Sequence, residues 1–524
     1  MHTIRIKSIL VGTVLASVAA GPVAASELRM GIKADPTVDP HFLYLATNIA
    51  IARHMFDHLL YMSPTSKPQP GLAISWKAID DTTWEFKLRP GIKFSDGSDF
   101  DAADVLFSLD RVKTLPNNPN PYTSSLRSVT EIIAPDPMTV RFKTSGPNPE
   151  FPTQMRNVAI VSSGVGTASP SDFVSGKATI GTGPYKFVSF TPGERLVLKR
   201  NDKYWGPAPA YENVTFRVMT NDASRVAALL AGDVDGIDVV PPTDIARLKK
   251  DKNIKIFSSI SDRTMYLSLN ATPERLENAS DNSGKPLDKN PMKDHRVRLA
   301  IYKAVNRDVL VTRGLEGFGV PAGQMVPEGF PGYNPAIKAE KADIAGAKKL
   351  LAEAGYPEGL ALDLLCPNGR YVNDAAVCQM IGAMLSRVGI KAKVEAFPPA
   401  VFFPKIKVPD QKPAIMLIGW GLGAGTALTV LNDVLRTYDK EKGTGANNRG
   451  AHDPELDRIV DEMVRTLDDK KRVSMMVEAL GVAKKNTDAV PLYNEMTVMA
   501  ARKGVVLIPR YDQQTSVVDA HPAK

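Results

Sequence analysis

Three places in this chain carry residue types and spacings that could do chemistry. His54 and His58 stand four apart in a segment with helical periodicity, the spacing by which two imidazoles share a metal. The residues between them are Met55, Phe56 and Asp57, with no glutamate beside His54, so the metalloprotease pattern is not met and no metal site is assigned. Residues 419–425, GWGLGAG, follow an apolar run and resemble a dinucleotide loop. No βαβ unit with an acid about 20 positions on completes that fingerprint. Arg370 and Tyr371, in CPNGRYVND, precede a helical pattern, and an arginine there can grip a carboxylate through two hydrogen bonds; a solvated loop charge is the rival reading. No Gly-x-Ser-x-Gly elbow, phosphate loop or paired-cysteine zinc pattern appears. A hydrolase would need a nucleophile and base that the sequence does not advertise, so neither an enzyme nor a resident cofactor is expected.

The elements that must position these groups alternate between strand and helix patterns along the chain. Residues 71–112 read GLAISWKAIDDTTWEFKLRPGIKFSDGSDFDAADVLFSLDRV. Trp84, Phe86 and Leu88 alternate with charged residues as in a half-buried strand, Pro90-Gly91 and Asp96-Gly97 turn the chain, and a helix is predicted from Asp101. A strand is predicted over residues 27–33 and a helix over 47–60. A hairpin is predicted around Pro192-Gly193, closed by Arg200-Asn201-Asp202 and Tyr204-Trp205. Further helices are predicted over 297–310, 342–354, 373–388, 454–467 and 470–485, among strands near 360, 391 and 414, and the chain ends with strands over 497–501 and 505–508.

The first 25 residues place Arg5 and Lys7 before an apolar run and a small-residue end, which reads as a cleavable secretory signal. The run is short of the roughly 20 residues that cross a bilayer, and no cysteine follows for a lipid anchor. Removing Arg5 and Lys7 lowers the formal charge from +8 to +6. That excess is spread out rather than clustered, so nucleic-acid binding gains no support, whereas anionic ligands do. Residues 26–524 exceed the roughly 250–300 that one core holds, so two lobes are expected. Cys366 and Cys378 would face an oxidising compartment, either bridged or as two buried thiols.

The 71–112 tract, together with GTGPYKFVSFTPGERLVLKRNDKYWG over residues 181–206, resembles the extracytoplasmic solute-binding proteins of ABC importers. The resemblance is to family 5, the group that includes dipeptide-, oligopeptide-, nickel- and glutathione-binding proteins, and it runs through nearly the whole mature chain. It implies a two-lobed α/β periplasmic binding protein fold of class II, the large peptide-binding type with an extra subdomain. Its lobe I would span 26–270 and 489–524, with a subdomain over about 61–180. Lobe II would span 271–488, and two segments would form the hinge. It implies solute capture between the lobes and delivery to a separate permease in the inner membrane, by a monomer free in the periplasm. A secreted hydrolase, or a chaperone or sensor on the same scaffold, is the alternative.

Under this resemblance His41 and Tyr44, after the DPTVDPH motif, border the cleft, and Arg370 and Tyr371 meet a ligand carboxylate. Trp420 forms a cleft wall, while Gly421 and its neighbouring glycines let backbone donors approach the solute. Asn447 and Arg449, in GANNRG, would add anion contacts. Peptide binders of the family carry an aspartate shortly after the Gly-Trp pair. This chain has none until Asp433, which shifts the expected solute toward glutathione-like, opine-like or other acidic compounds.

Overall fold

The computed structural model describes residues 25–523 except Ala424, Ala451 and Asp488, so the segment expected to be a secretory signal lies outside the described residues but for Ala25. A twelve-stranded mixed sheet runs through the molecule. From one edge its strands are Ser280–Asp281, Leu360–Pro367, Ile415–Gly421, Ile254–Leu269, Ala489–Arg502, Gly236–Ile237, Ala25–Ile32, Tyr211–Val218, Arg195–Arg200 and Tyr185–Thr191. Ile390–Phe397 pairs in parallel with Leu360–Pro367, and Gly319–Pro321 pairs with Ala489–Arg502.

The two long central strands join the halves. Ile254–Leu269 and Ala489–Arg502 pair antiparallel from Ile254↔Arg502 to Ser268↔Ala489, with irregularities between Ile260 and Thr264 and between Met265 and Tyr266. The first half packs Leu28, Met30, Phe56, Tyr185 and Phe216 into one core. The second packs Leu267, Ile301, Leu362, Ile381 and Leu417 into another. A four-stranded antiparallel sheet, Ala73–Ala78, Thr83–Leu88, Thr139–Thr144 and Val129–Asp136, adds a separate layer to the first half. Its core, built on Phe86, Phe142 and Phe151, continues into Leu431, Leu456 and Met476 of the second half. The two halves are therefore shut against each other.

Local signals explain several element ends. Asp101 caps the helix Ala102–Thr114 through a capping box with Asp104, satisfying N–H groups the helix itself leaves open. The helix read over 47–60 runs only from Ala46 to Met55. The chain must turn there because the buried carboxylate of Asp57 gathers Tyr61, Tyr204, Thr182 and Trp205, the last two at 2.8 and 2.6 Å. His58 consequently leaves the helix and pairs its backbone with Ala159. The strand read over 497–501 begins much earlier, at Ala489, because Pro491 sits at an irregularity where a ladder N–H is dispensable. Among the described residues no helix is long and apolar enough to cross a membrane.

Candidate ligand cleft

A cavity of about 720 Å³ lies between the halves against the two crossing strands. Three helix starts contribute to its wall: Ala46–Met55, Pro242–Lys250 and Asp374–Ser386. The N-cap residues of the three make no side-chain cap bond, although the Asp374 carboxylate accepts the Ala375 N–H at 2.9 Å. The dipoles of these helices favour negative charge at the wall, which also carries the carboxylates of Asp222, Asp238, Asp374 and Glu495. A second depression, of about 450 Å³, lies on the first half around Arg29, Arg195 and Arg217. Asp235, Glu194 and the Asp233 carbonyl already engage those arginines, so it is the weaker candidate.

Arg370 and Tyr371 line the main cavity. Their loop is wound around Asp374, whose carboxylate accepts the N–H groups of Gly369, Arg370 and Tyr371 at 3.0, 2.9 and 2.9 Å. Asp374 is thereby occupied, while the Arg370 guanidinium is exposed, lies 5.1 Å over the Tyr371 ring, and pairs with no carboxylate among the described residues. The Tyr371 hydroxyl donates to the Gly419 carbonyl at 3.3 Å. Arg263 also faces the cavity, but Glu495 and Gln513 hold it. Cys366 and Cys378 are bridged, with Cα atoms 6.4 Å apart, and the bridge closes the segment that carries Arg370 and Tyr371.

Trp420 is half-buried and packs against the core that spans the halves; its indole N–H is buried without an acceptor. The glycines beside it lie close against the protein's own side chains. A Cβ on Gly419 would meet Met265, Tyr371 and Arg263 at 2.6 to 2.9 Å, and one on Gly421 would lie 3.1 Å from Asp262 Oδ1.

Four other expected site residues are placed away from the cavity wall. His41 is fully buried, with its Nε2 2.8 Å from the Ala159 carbonyl, and burial pushes its pKa down to about 4. Its neighbour Asp39 holds Arg111 through two bonds of 2.8 and 2.7 Å, so the DPTVDPH motif is a structural clamp. Tyr44 packs edge-on against Tyr122 at 4.8 Å. Arg449 is buried, donating to the carbonyls of Ile406 and Asn447 at 2.6 and 2.8 Å, while the Asn447 backbone N–H donates to the Asp433 carbonyl. These bonds fix a loop inside the second half. The His54–His58 pair is also dismantled: His54 spends Nδ1 on the Ala50 carbonyl and Nε2 on the Val517 N–H.

The sequence reading missed a buried polar cluster beside the cavity. Arg53 donates to Gln514, a cavity residue, at 2.5 Å and lies 3.5 Å from Asp512. Arg156 donates to the Tyr511 hydroxyl at 2.5 Å and crosses to the Gly423 carbonyl of the second half. The Nε–H groups of both arginines, the Tyr122 hydroxyl and His58 Nδ1 are buried without partners. Two arginines close together, each with an unmet donor, form a site short of acceptors. The only sequence signal was the arginines themselves, one in an apolar helix and one beside buried Met155. Asp262 and Glu150 complete the cluster, with burial raising their pKa values to about 6 and about 7.

Residues 67–442 match the family described as bacterial extracellular solute-binding proteins, family 5 Middle. The chain is 27% identical over 503 residues to the glutathione-binding protein GsiB of Shigella dysenteriae serotype 1, covering 95% of this chain and 94% of that one. Among solved structures it superposes on HbpA2 of Haemophilus parasuis with a TM-score of 0.79 at 22% identity, covering 95% and 100% of the two chains. AgaA of A. tumefaciens R10 in complex with agropinic acid gives 0.72 at 24% identity, covering 95% and 99%.

Proposed function

Because the chain belongs to family 5 of the bacterial extracellular solute-binding proteins, we propose that it captures a small peptide-like or acidic organic solute between its halves and hands it to an ABC permease. The observation that carries the solute class is the cavity itself. It presents the exposed guanidinium of Arg370, with which no carboxylate among the described residues pairs, and the helix starts at Ala46 and Pro242. Carboxylates are the groups such donors select. A relative named for glutathione and a fold neighbour solved with agropinic acid agree with that preference.

In this reading the lobes are 26–270 with 489–524, including a subdomain over about 61–180, and 271–488, and the two long strands are the hinge. A solute that bonds both lobes favours the shut state in proportion to its differential affinity. The mature protein works as a periplasmic monomer after leader removal. Native mass spectrometry of the purified protein is expected to find a co-purified acidic solute of unchanged composition. Calorimetry should then show glutathione or another anionic peptide binding at least tenfold tighter than its uncharged amide. Preference for neutral or cationic solutes would refute the assignment.

A further inference from the structure

The carboxylates on the cavity wall are engaged by the protein itself. Asp222 holds Arg225 at 2.7 Å, Asp238 accepts the Lys33 N–H at 3.1 Å, Glu495 holds Arg263 at 3.2 Å, and Asp374 is wrapped by its own loop. Of the lining cations, Lys33 and Arg263 have carboxylate partners and Arg370 has none among the described residues. The charged part of the wall therefore offers a solute one unspent group, the Arg370 guanidinium.

A second part of the wall is apolar. Val239, Pro242, Phe318, Met496 and Val498 line the cavity and keep exposed surface, with Ile245 and Leu315 buried beside them. Phe318 belongs to the second half yet packs on the core of the first that contains Val240 and Ile245, and Lys249 of that half lies 4.8 Å over its ring. Two successive left-handed residues, Glu316 at φ +52 and Gly317 at φ +83, turn the chain just before it. Val498 joins the same patch, its carbonyl accepting the Val240 N–H at 3.2 Å. The Arg370 loop meets the same strand elsewhere, where the Val372 N–H donates to Glu495 at 3.3 Å. Glu495 and Val498 are about 10 Å apart along that strand, within the span of a tripeptide.

We propose that Phe318, Pro242, Val239 and Val498 form an apolar subsite, so that the preferred solute joins a carboxylate to a large apolar group of leucine or phenylalanine type. This rests on the reading that the cleft takes a peptide-like or acidic solute. Apolar wall left facing water is unfavourable, and an apolar group of the solute removes that contact. Phe318 comes from one half and Pro242 from the other, so the subsite is complete only in the shut state. A solute that fills it consequently favours closure.

The test uses two dipeptide series of constant charge, γ-Glu-X and X-Glu with X as Gly, Leu or Phe, by calorimetry on the parent, Phe318→Ala and Arg370→Ala. In at least one series the parent should favour Leu or Phe over Gly by about 10- to 100-fold, the discrimination a buried side chain of that size gives. Phe318→Ala should shrink that ratio to about threefold or less, whereas Arg370→Ala should weaken every member and keep the ratio. Should Phe318→Ala fold poorly, the parent decides alone, because the Leu member should bind with a more negative heat-capacity change than the Gly member. A flat series in the parent, or a ratio that survives Phe318→Ala, overturns the apolar subsite and leaves the solute class standing. If no member of either series binds the parent, the peptide-like reading falls together with it.

Discussion

Glu150 should make closure of the halves depend on pH. It begins the short helix Phe151–Gln154 in the first half, and its carboxylate accepts the hydroxyl of Thr426 from the second. The second half also brings Arg472 and Asp433 near it, while Arg156 approaches from its own side. Burial dominates, raising the carboxyl from 4.5 to about 7. Opening the cleft would return the group to water and its ordinary value. The shut state therefore binds more protons between those two values, and its advantage must decline as pH rises through that window. The charged form should cost the shut state about 3 kcal/mol at pH 8 and about 1 kcal/mol at pH 5. Glu150→Gln keeps a hydrogen-bonding side chain and removes the charge. Any pH-independent packing effect cancels when the variant-minus-parent difference is compared at the two pH values. That difference should grow by about 2 kcal/mol from pH 5 to pH 8, read as melting stability and as a smaller radius of gyration for the solute-free variant at pH 8. Parallel pH profiles for the two proteins would refute the argument.

Arg370→Ala should weaken binding of an anionic solute by about 30-fold, for loss of a charged hydrogen-bonding partner worth about 2 kcal/mol. Its melting point should stay with the parent's because the side chain is exposed; unchanged affinity by calorimetry removes Arg370 from the site. His41→Ala should do the opposite, costing about 2–3 kcal/mol of stability through a lost buried bond and a cavity, with solute affinity unaltered. Converting Cys366 and Cys378 together to alanine should cost about 3 kcal/mol in the entropic treatment of a loop whose ends are 12 residues apart. A denaturant midpoint equal to the parent's would reject that contribution.

What the sequence made legible was what neighbouring residues decide among themselves. Asp101 announced its helix because the capping box needs only Asp101 and Asp104. Arg370 and Tyr371 were legible because one loop, folded on its own Asp374, presents them. The polar cluster was not, since positions 53, 156, 262 and 511 meet only after both sheets and the C-terminal segment have packed. His41 was misplaced for a related reason. The motif located the loop after the first strand correctly, but the direction of its side chain depends on Ala159, more than a hundred residues away. The end of the first helix was hidden likewise, because the four donors that capture Asp57 come from beyond position 180 or from the following strand.

The glycines after Trp420 permit a last separation of causes. Gly425 has φ +84 and Gly423 has φ +54, so alanine strains the backbone at either position. Their surroundings differ. A Cβ on Gly423 would touch only Thr429 of its own half, at an ordinary 3.4 Å. One on Gly425 would collide with the Ser66 hydroxyl across the cleft, and Ser66 is buried and cannot retreat into water. Gly425→Ala should therefore hold the halves apart, enlarging the solute-free envelope in small-angle scattering and lowering solute affinity about tenfold or more although no cavity residue has changed. Gly423→Ala should match its loss of melting stability without the change in envelope. If both variants scatter alike, the contact between Ser66 and Gly425 does not limit closure.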